Sequence, residues 1–112
     1  MAYDEALAAR LRTVLADEPG LSEKRMFGGL GFLLDGTMAV AASNTGGLLL
    51  RVPAGSTEDH LAEDGTEPFV MRGKPMTGWI RVLPDAVDAE ESLRRWTAIG
   101  VATARALGPK TP

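Results

Sequence analysis

At 112 residues the chain is the size of one domain, long enough to bury roughly two-thirds of its unfolded surface without a metal or a disulfide. It has no cysteine, which excludes disulfides, zinc–thiolate sites and cysteine nucleophiles together. Its net charge of -3 lacks the basic surplus with which a dedicated non-specific DNA binder neutralises phosphates, and no apolar run approaches the length of a bilayer span.

The N-terminal stretch MAYDEALAARL is acidic and amphipathic. It has no basic segment followed by an apolar one, so it does not read as a signal peptide, and a cytoplasmic location is expected. A first helix is predicted from about Tyr3 to Asp17. Leu7, Leu11, Val14 and Leu15 fall at i, i+4, i+7 and i+8, one apolar stripe, and Pro19 and Gly20 stop the helix. Lys24 to Phe27 is a candidate first strand, and Leu30 to Leu34 either extends it or begins anew. Asp35-Gly36 between apolar runs is a strong hairpin signal, with Thr37 to Ala42 as the return strand. Ser43 to Gly47 reads as a turn, and Leu48 to Val52 as a further strand closed by Pro53.

Ser56 to Gly65 reads as a short helix, with Ser56 as N-cap, Asp59 as its capping-box partner and Gly65 as C′ residue. Strands are predicted over Glu67 to Arg72 and Gly78 to Leu83, around a GKPMT loop. A last helix is expected from an Asp85 N-cap to about Leu107. Ala89, Leu93, Trp96, Gly100, Thr103 and Leu107 share its inner face, and Glu90–Arg94 and Glu91–Arg95 are spaced as i, i+4 ion pairs. Gly100 in mid-helix suggests a close approach to a sheet. Residues 1–112 then form a single domain with a core of about 3–107 and a frayed tail from 108. The order is α-β(3-4)-α-β(2)-α, which argues an α+β fold: one antiparallel sheet flanked by helices.

The strands LGFLL, MAVAA and LLL are apolar on both faces, whereas a sheet with one wet face alternates. Strong curling, helices on parts of both faces, or a second subunit would each account for this. A homodimer is the favoured expectation.

Chemistry-bearing patterns are sparse. Gly29-Leu30-Gly31 lacks the third glycine of a dinucleotide fingerprint and leads into a strand rather than a helix. Gly73-Lys74 is followed by Pro75, which fails the P-loop pattern. Gly28 and Gly29 are therefore expected to bend or bulge a strand. His60, the sole histidine, has Glu63 and Asp64 at i+3 and i+4, a poor metal set and a better solvated face. No catalytic constellation, metal site or cofactor site is found, so an enzyme is not expected. Arg25, Arg51, Arg72 and Lys74, with Arg81 nearby, are the best polar cluster. They would contact an anion or an acidic partner if the sheet gathers them, and otherwise shield strand edges. Trp79 and Trp96 each continue an apolar pattern and read as core anchors.

Four segments, KRMFGGLGFLLDGTMAV, LLLRV, EPFVMRGKPMTGWIRVLPD and LRRWTAIGVATARAL, resemble the N-terminal domain of the TfoX/Sxy competence regulators from about Ala6 to Leu107. Met26, Phe27, Gly28 and Gly29 carry the first motif. Arg72, Gly73, Lys74, Pro75, Met76, Gly78 and Trp79 carry the second. The resemblance implies an α+β fold similar to that of secretion chaperones. Full-length members add a C-terminal helical domain, which would begin where this chain ends, and act as positive regulators of DNA-uptake genes by assisting a transcription activator. The family offers no catalytic residues to carry over. The resemblance thus implies a stand-alone, non-enzymatic protein-interaction module that modulates transcription. A small-anion or nucleotide binding module is the alternative, and direct DNA binding ranks third.

Overall fold

The computed structural model describes residues 3–26 and 28–109. Three helices and six strands follow in the order α1 (Glu5–Val14), β1 (Leu21–Met26), β2 (Gly29–Leu34), β3 (Thr37–Ala42), β4 (Leu48–Arg51), α2 (Thr57–Leu61), β5 (Thr66–Met71), β6 (Lys74–Val82) and α3 (Glu90–Leu107). The strands form one antiparallel sheet in the order β1-β2-β3-β4-β6-β5. The expected α+β architecture is the one observed.

Helix α1 starts at Asp4, whose carboxylate accepts from the N–H groups of Ala6 (2.9 Å) and Leu7 (3.1 Å). It ends at Val14, three residues before the predicted Asp17, with Leu15 as C-cap. Strand β1 begins at Leu21, earlier than the predicted Lys24. It is an edge strand whose Ser22–Arg25 stretch is exposed, so it carries no apolar alternation. Gly28 and Gly29 do not bulge a continuous strand. Met26 pairs with Gly29, the first residue of β2, and Gly28 before it is a turn residue with φ 75°.

The predicted GKPMT loop is mostly strand. Arg72 (φ 54°) and Gly73 (φ 78°) make a tight turn of the type that matches strand twist, and β6 resumes at Lys74. The Ser56 capping box does not form, since Ser56 makes no side-chain cap bond. Thr57 takes over. Its hydroxyl donates to the Ala54 carbonyl (2.9 Å) and accepts from the Gly78 N–H (2.9 Å), tying α2 to β6. Helix α2 then stops at Leu61, short of Gly65. Asp85 is not the N-cap of the last helix either. Pro84–Val87 form a 3-10 turn, and α3 begins after Ala89.

The main core lies between the sheet and the helices. Phe32, Val40, Leu48, Leu50, Ile80 and Val82 point from the strands toward Leu7, Leu11, Leu15, Leu93 and Trp96. Leu107, expected on the inner face of α3, is 59 % exposed. At the end of α3 the Gly108 carbonyl accepts from the Thr37 hydroxyl (2.7 Å), so the tail is anchored at its first residue. Lys110 to Pro112 lie outside the described residues.

Thr97 is fully buried on α3, and its hydroxyl has no hydrogen-bond partner among the described residues. A buried, unpaired hydroxyl costs stability, and an isosteric methyl removes that cost. Thr97→Val should therefore raise the unfolding free energy by about 1 kcal/mol, readable as a higher urea midpoint at an unchanged m-value.

Two surface carboxylates tie elements together. Glu23 of β1 accepts from Arg12 of α1 at 2.7 and 2.9 Å, and the guanidinium holds its carboxyl below the usual range. Glu63 accepts from His60 (3.0 Å) and from Arg95 of α3 (2.7 Å), and both contacts hold its carboxyl down, His60 more strongly. Between the folded and unfolded pKa values the unfolded chain binds more protons, so stability rises with pH there. This contribution is complete above the unfolded carboxyl value of about 4.3 and is lost as pH falls through the lowered folded values. Thermal midpoints from pH 6 to 2 should drop less steeply for the Glu23→Gln, Glu63→Gln double variant than for the parent. Parallel curves would contradict this.

Candidate functional site

Alternation along the strands sends a second set of side chains to the face away from the helices. Met38, Ala41 and Leu49 form its centre, with Met26, Leu33, Phe69 and Trp79 packed around them, and no helical residue belongs to this cluster. The centre is nevertheless nearly closed off, with exposures of 6, 2 and 3 %.

The sheet produces this burial by curling. The register shifts once between β2 and β3, around Ala39, and once between β5 and β6, where β6 carries the extra residues between Pro75 and Ile80 opposite Phe69. Such bulges sharpen twist and bend a strand. As a result Met26 on edge strand β1 and Phe69 on edge strand β5 line the same hollow of about 480 Å³, over Ala41 and Leu49. A second hollow of about 490 Å³ shares Met26 and runs past Leu33, Met38 and Trp79 to the end of α3.

The charges on this face are unequally satisfied. Arg81 is bonded to Glu67 directly opposite on β5, to the Thr45 hydroxyl (2.6 Å) and to the Gly46 carbonyl (3.3 Å). Arg51 donates from Nε to the Met38 carbonyl (3.1 Å), and its guanidinium lies 4.3 Å from the Trp79 ring centre. Burial lowers the Arg51 pKa. Lys24 lines the same hollow as Arg51, and neither has a carboxylate within 4.0 Å among the described residues.

The basic cluster read from the sequence is not gathered. Arg25 pairs with Leu30, a core residue of the helix-covered side, and its guanidinium lies 5.9 Å from the Tyr3 ring centre. Arg51 is on the open face, while Arg72 and Lys74 flank the β5–β6 turn at the opposite sheet edge from β1. These four cations do not make one anion site.

The two resemblance motifs meet only in part. Met26 and Trp79 both line the hollow beside Arg51. Gly28, Arg72 and Gly73 are in turns, Gly29 opens β2, and Lys74, Pro75 and Met76 lie in the exposed outer half of β6. Gly78 is held through its backbone by Thr57 and by the Val52 N–H, which donates to its carbonyl (2.9 Å). Phe27 lies outside the described residues.

Trp79 belongs to the open face rather than the main core, whereas Trp96 is 3 % exposed beneath α3 and anchors that core. His60 does not front a metal set. It bonds Glu63 and meets Trp96 edge-on at 5.9 Å, and among the described residues no group of three or more His, Asp or Glu side chains could hold an ion. Glu90–Arg94 forms as expected (2.8 Å), but Arg95 reaches Glu63 instead of Glu91 and stacks on Trp96 at 4.4 Å.

Sequence reasoning missed Lys24, Leu33, Met38, Leu49 and Phe69 as members of one surface. The signal for three of them was present, since Leu33, Met38 and Leu49 make the strands apolar on their second face.

A six-stranded antiparallel sheet with helices on one face and a hollowed apolar surface on the other defines a small α+β domain with an open sheet face. A model of the TfoX N-terminal domain matches residues 13–104. The chain belongs to the TfoX N-terminal domain family. Comparison with curated proteins returns no match, and comparison with solved structures returns none. No helix among the described residues is long and apolar enough to cross a membrane.

Proposed function

We propose that this TfoX N-terminal domain is a non-enzymatic protein-interaction module that works in the cytoplasm and modulates transcription through protein contacts. The observation that carries this reading is the second apolar cluster. Met26, Leu33, Phe69 and Trp79 ring a hollowed sheet face that no helix among the described residues covers. Contiguous apolar surface rimmed by polar groups marks an interaction site. Family membership supports the regulatory part of the reading.

The test is a retention assay with two charge insertions. Leu33→Glu places a carboxylate on the open face, and Ala98→Glu places one on the exposed side of α3. Both variants should keep the parent circular dichroism spectrum, and only Leu33→Glu should lose protein partners. Equal retention by both would refute the reading. So would specific turnover of a metabolite by a protein that retains no partner.

A further inference from the structure

We propose that the open face receives an acidic amphipathic helix from a partner protein, its apolar stripe against the half-buried Met26, Leu33, Phe69 and Trp79 and its carboxylates at Lys24 and Arg51. This inference rests on the reading of the domain as an interaction module and names the chemistry of the partner.

Width argues for a helix. The cluster runs from Leu33 on β2 through β3 and β4 to Trp79 on β6. Three strand spacings make that about 14 Å, and a helix with its side chains is about 10–12 Å across. The rims at Met26 and Phe69 curl toward each other, and a rod fits the trough between them. The opposite face of the same sheet already accepts α3 across β3 and β4.

Charge argues for an acidic occupant. Among the described residues the only carboxylate lining either hollow is Glu67, and Arg81 occupies it. Lys24 and Arg51 have no ion-pair partner among the described residues. Arg51 is held in place by the Met38 carbonyl and Trp79, so its guanidinium is presented with little ordering still to pay for. A second copy of this face fits less well. An isologous interface must be self-complementary, and among the described residues this surface offers two cations without an ion-pair partner and no unpaired carboxylate to answer them.

The experiment uses the full chain, with a photo-crosslinking phenylalanine analogue replacing Leu33, expressed in its own cells. Sequencing the crosslinked peptide should give a net-acidic segment with apolar residues at i, i+3 or i+4, and i+7. The synthetic peptide of that segment should then bind the purified protein. Lys24→Glu and Arg51→Glu should each weaken it, together by about tenfold, while Arg94→Glu on α3 leaves it unchanged. Arg51 also bonds the Met38 carbonyl, so Lys24→Glu on the exposed edge strand carries the test if Arg51→Glu misfolds. A crosslink to a basic or extended segment, or to a second copy of this chain, overturns the inference and leaves the interaction module standing. A crosslink only to nucleic acid, lipid or a small molecule, or none at all, overturns both.

Discussion

Phe32→Ala should lower the unfolding free energy by about 3–5 kcal/mol, among the largest losses expected from a single truncation in this domain. Phe32 is fully buried and is the largest side chain of the main core with no exposed surface. It sits on β2 between Glu23 on β1 and Val40 on β3, facing the helices. Its removal takes apolar area out of the core and leaves a cavity that three hydrogen-bonded strands cannot close by moving. The register shift that follows immediately at Leu33 stiffens the site further, because a bulged strand has one seated arrangement against its neighbour. A domain of this size has about 5–15 kcal/mol in total, so the variant should melt roughly 10–25 °C below the parent. Phe32→Leu keeps most of the volume and should lose less than half as much. A melting point for Phe32→Ala within about 4 °C of the parent would mean the core collapses around the gap.

The part of this core that was legible in the sequence is the part framed by strong local punctuation. Strand β3 was read at its observed limits, Thr37 to Ala42, because Asp35-Gly36 and Ser43–Gly47 bracket it. Both residues of the first turn take positive φ, 50° and 85°, which is what that sequence signals. Strand β1 was read short because an exposed edge strand needs no apolar period, and Leu21–Met26 has none. The outer half of β6 was read as a loop because Lys74-Pro75-Met76-Thr77 contains a proline and few strand formers. Pairing explains why it is a strand. Strand β4 bonds β6 only from Trp79 to Val82, so Pro75 lies on a free edge where a missing N–H goes unused.

The candidate site was legible only as a contradiction, two apolar faces on one sheet. Which residues met there depended on curling at Ala39 of β3 and between Pro75 and Ile80 of β6, and a bulge is set by neighbouring strands rather than by the bulged residues. The basic cluster misled for a related reason. Arg25 and Arg51 look equivalent along the chain, but strand parity sends them to opposite faces. Likewise Arg95 had Glu91 one turn away, yet Glu63 of a distant element lies within 2.7 Å and draws it across.

Gly100→Ala should destabilise the protein by about 2 kcal/mol, although the same change in an isolated helix would be favourable by about 1 kcal/mol. Geometry decides which effect wins. A Cβ at position 100 would stand 2.6 Å from the Ala39 carbonyl oxygen and 2.8 Å from Leu50 Cδ1. Leu50 is fully buried and has little room to turn aside. The carbonyl is backbone at the bulge, so relief requires α3 to lift off β3, loosening the contacts of Trp96 and Ala104 on either side of the strain. Overpacking of this kind costs about 3 kcal/mol at the upper end of its usual range, which outweighs the helical gain. Gly55→Ala is the matched control. Its Cβ would meet nothing within 4 Å, and it should be neutral or slightly stabilising through the unfolded chain. If Gly100→Ala instead melts at or above the parent, α3 has slack over the sheet, and the glycine serves something other than close approach. If it melts lower while Gly55→Ala does not, the bulge at Ala39 has two consequences from one extra residue. It pushes a carbonyl against α3 on the helix side, and by bending β3 it draws Met38 and Ala41 into the hollow on the other.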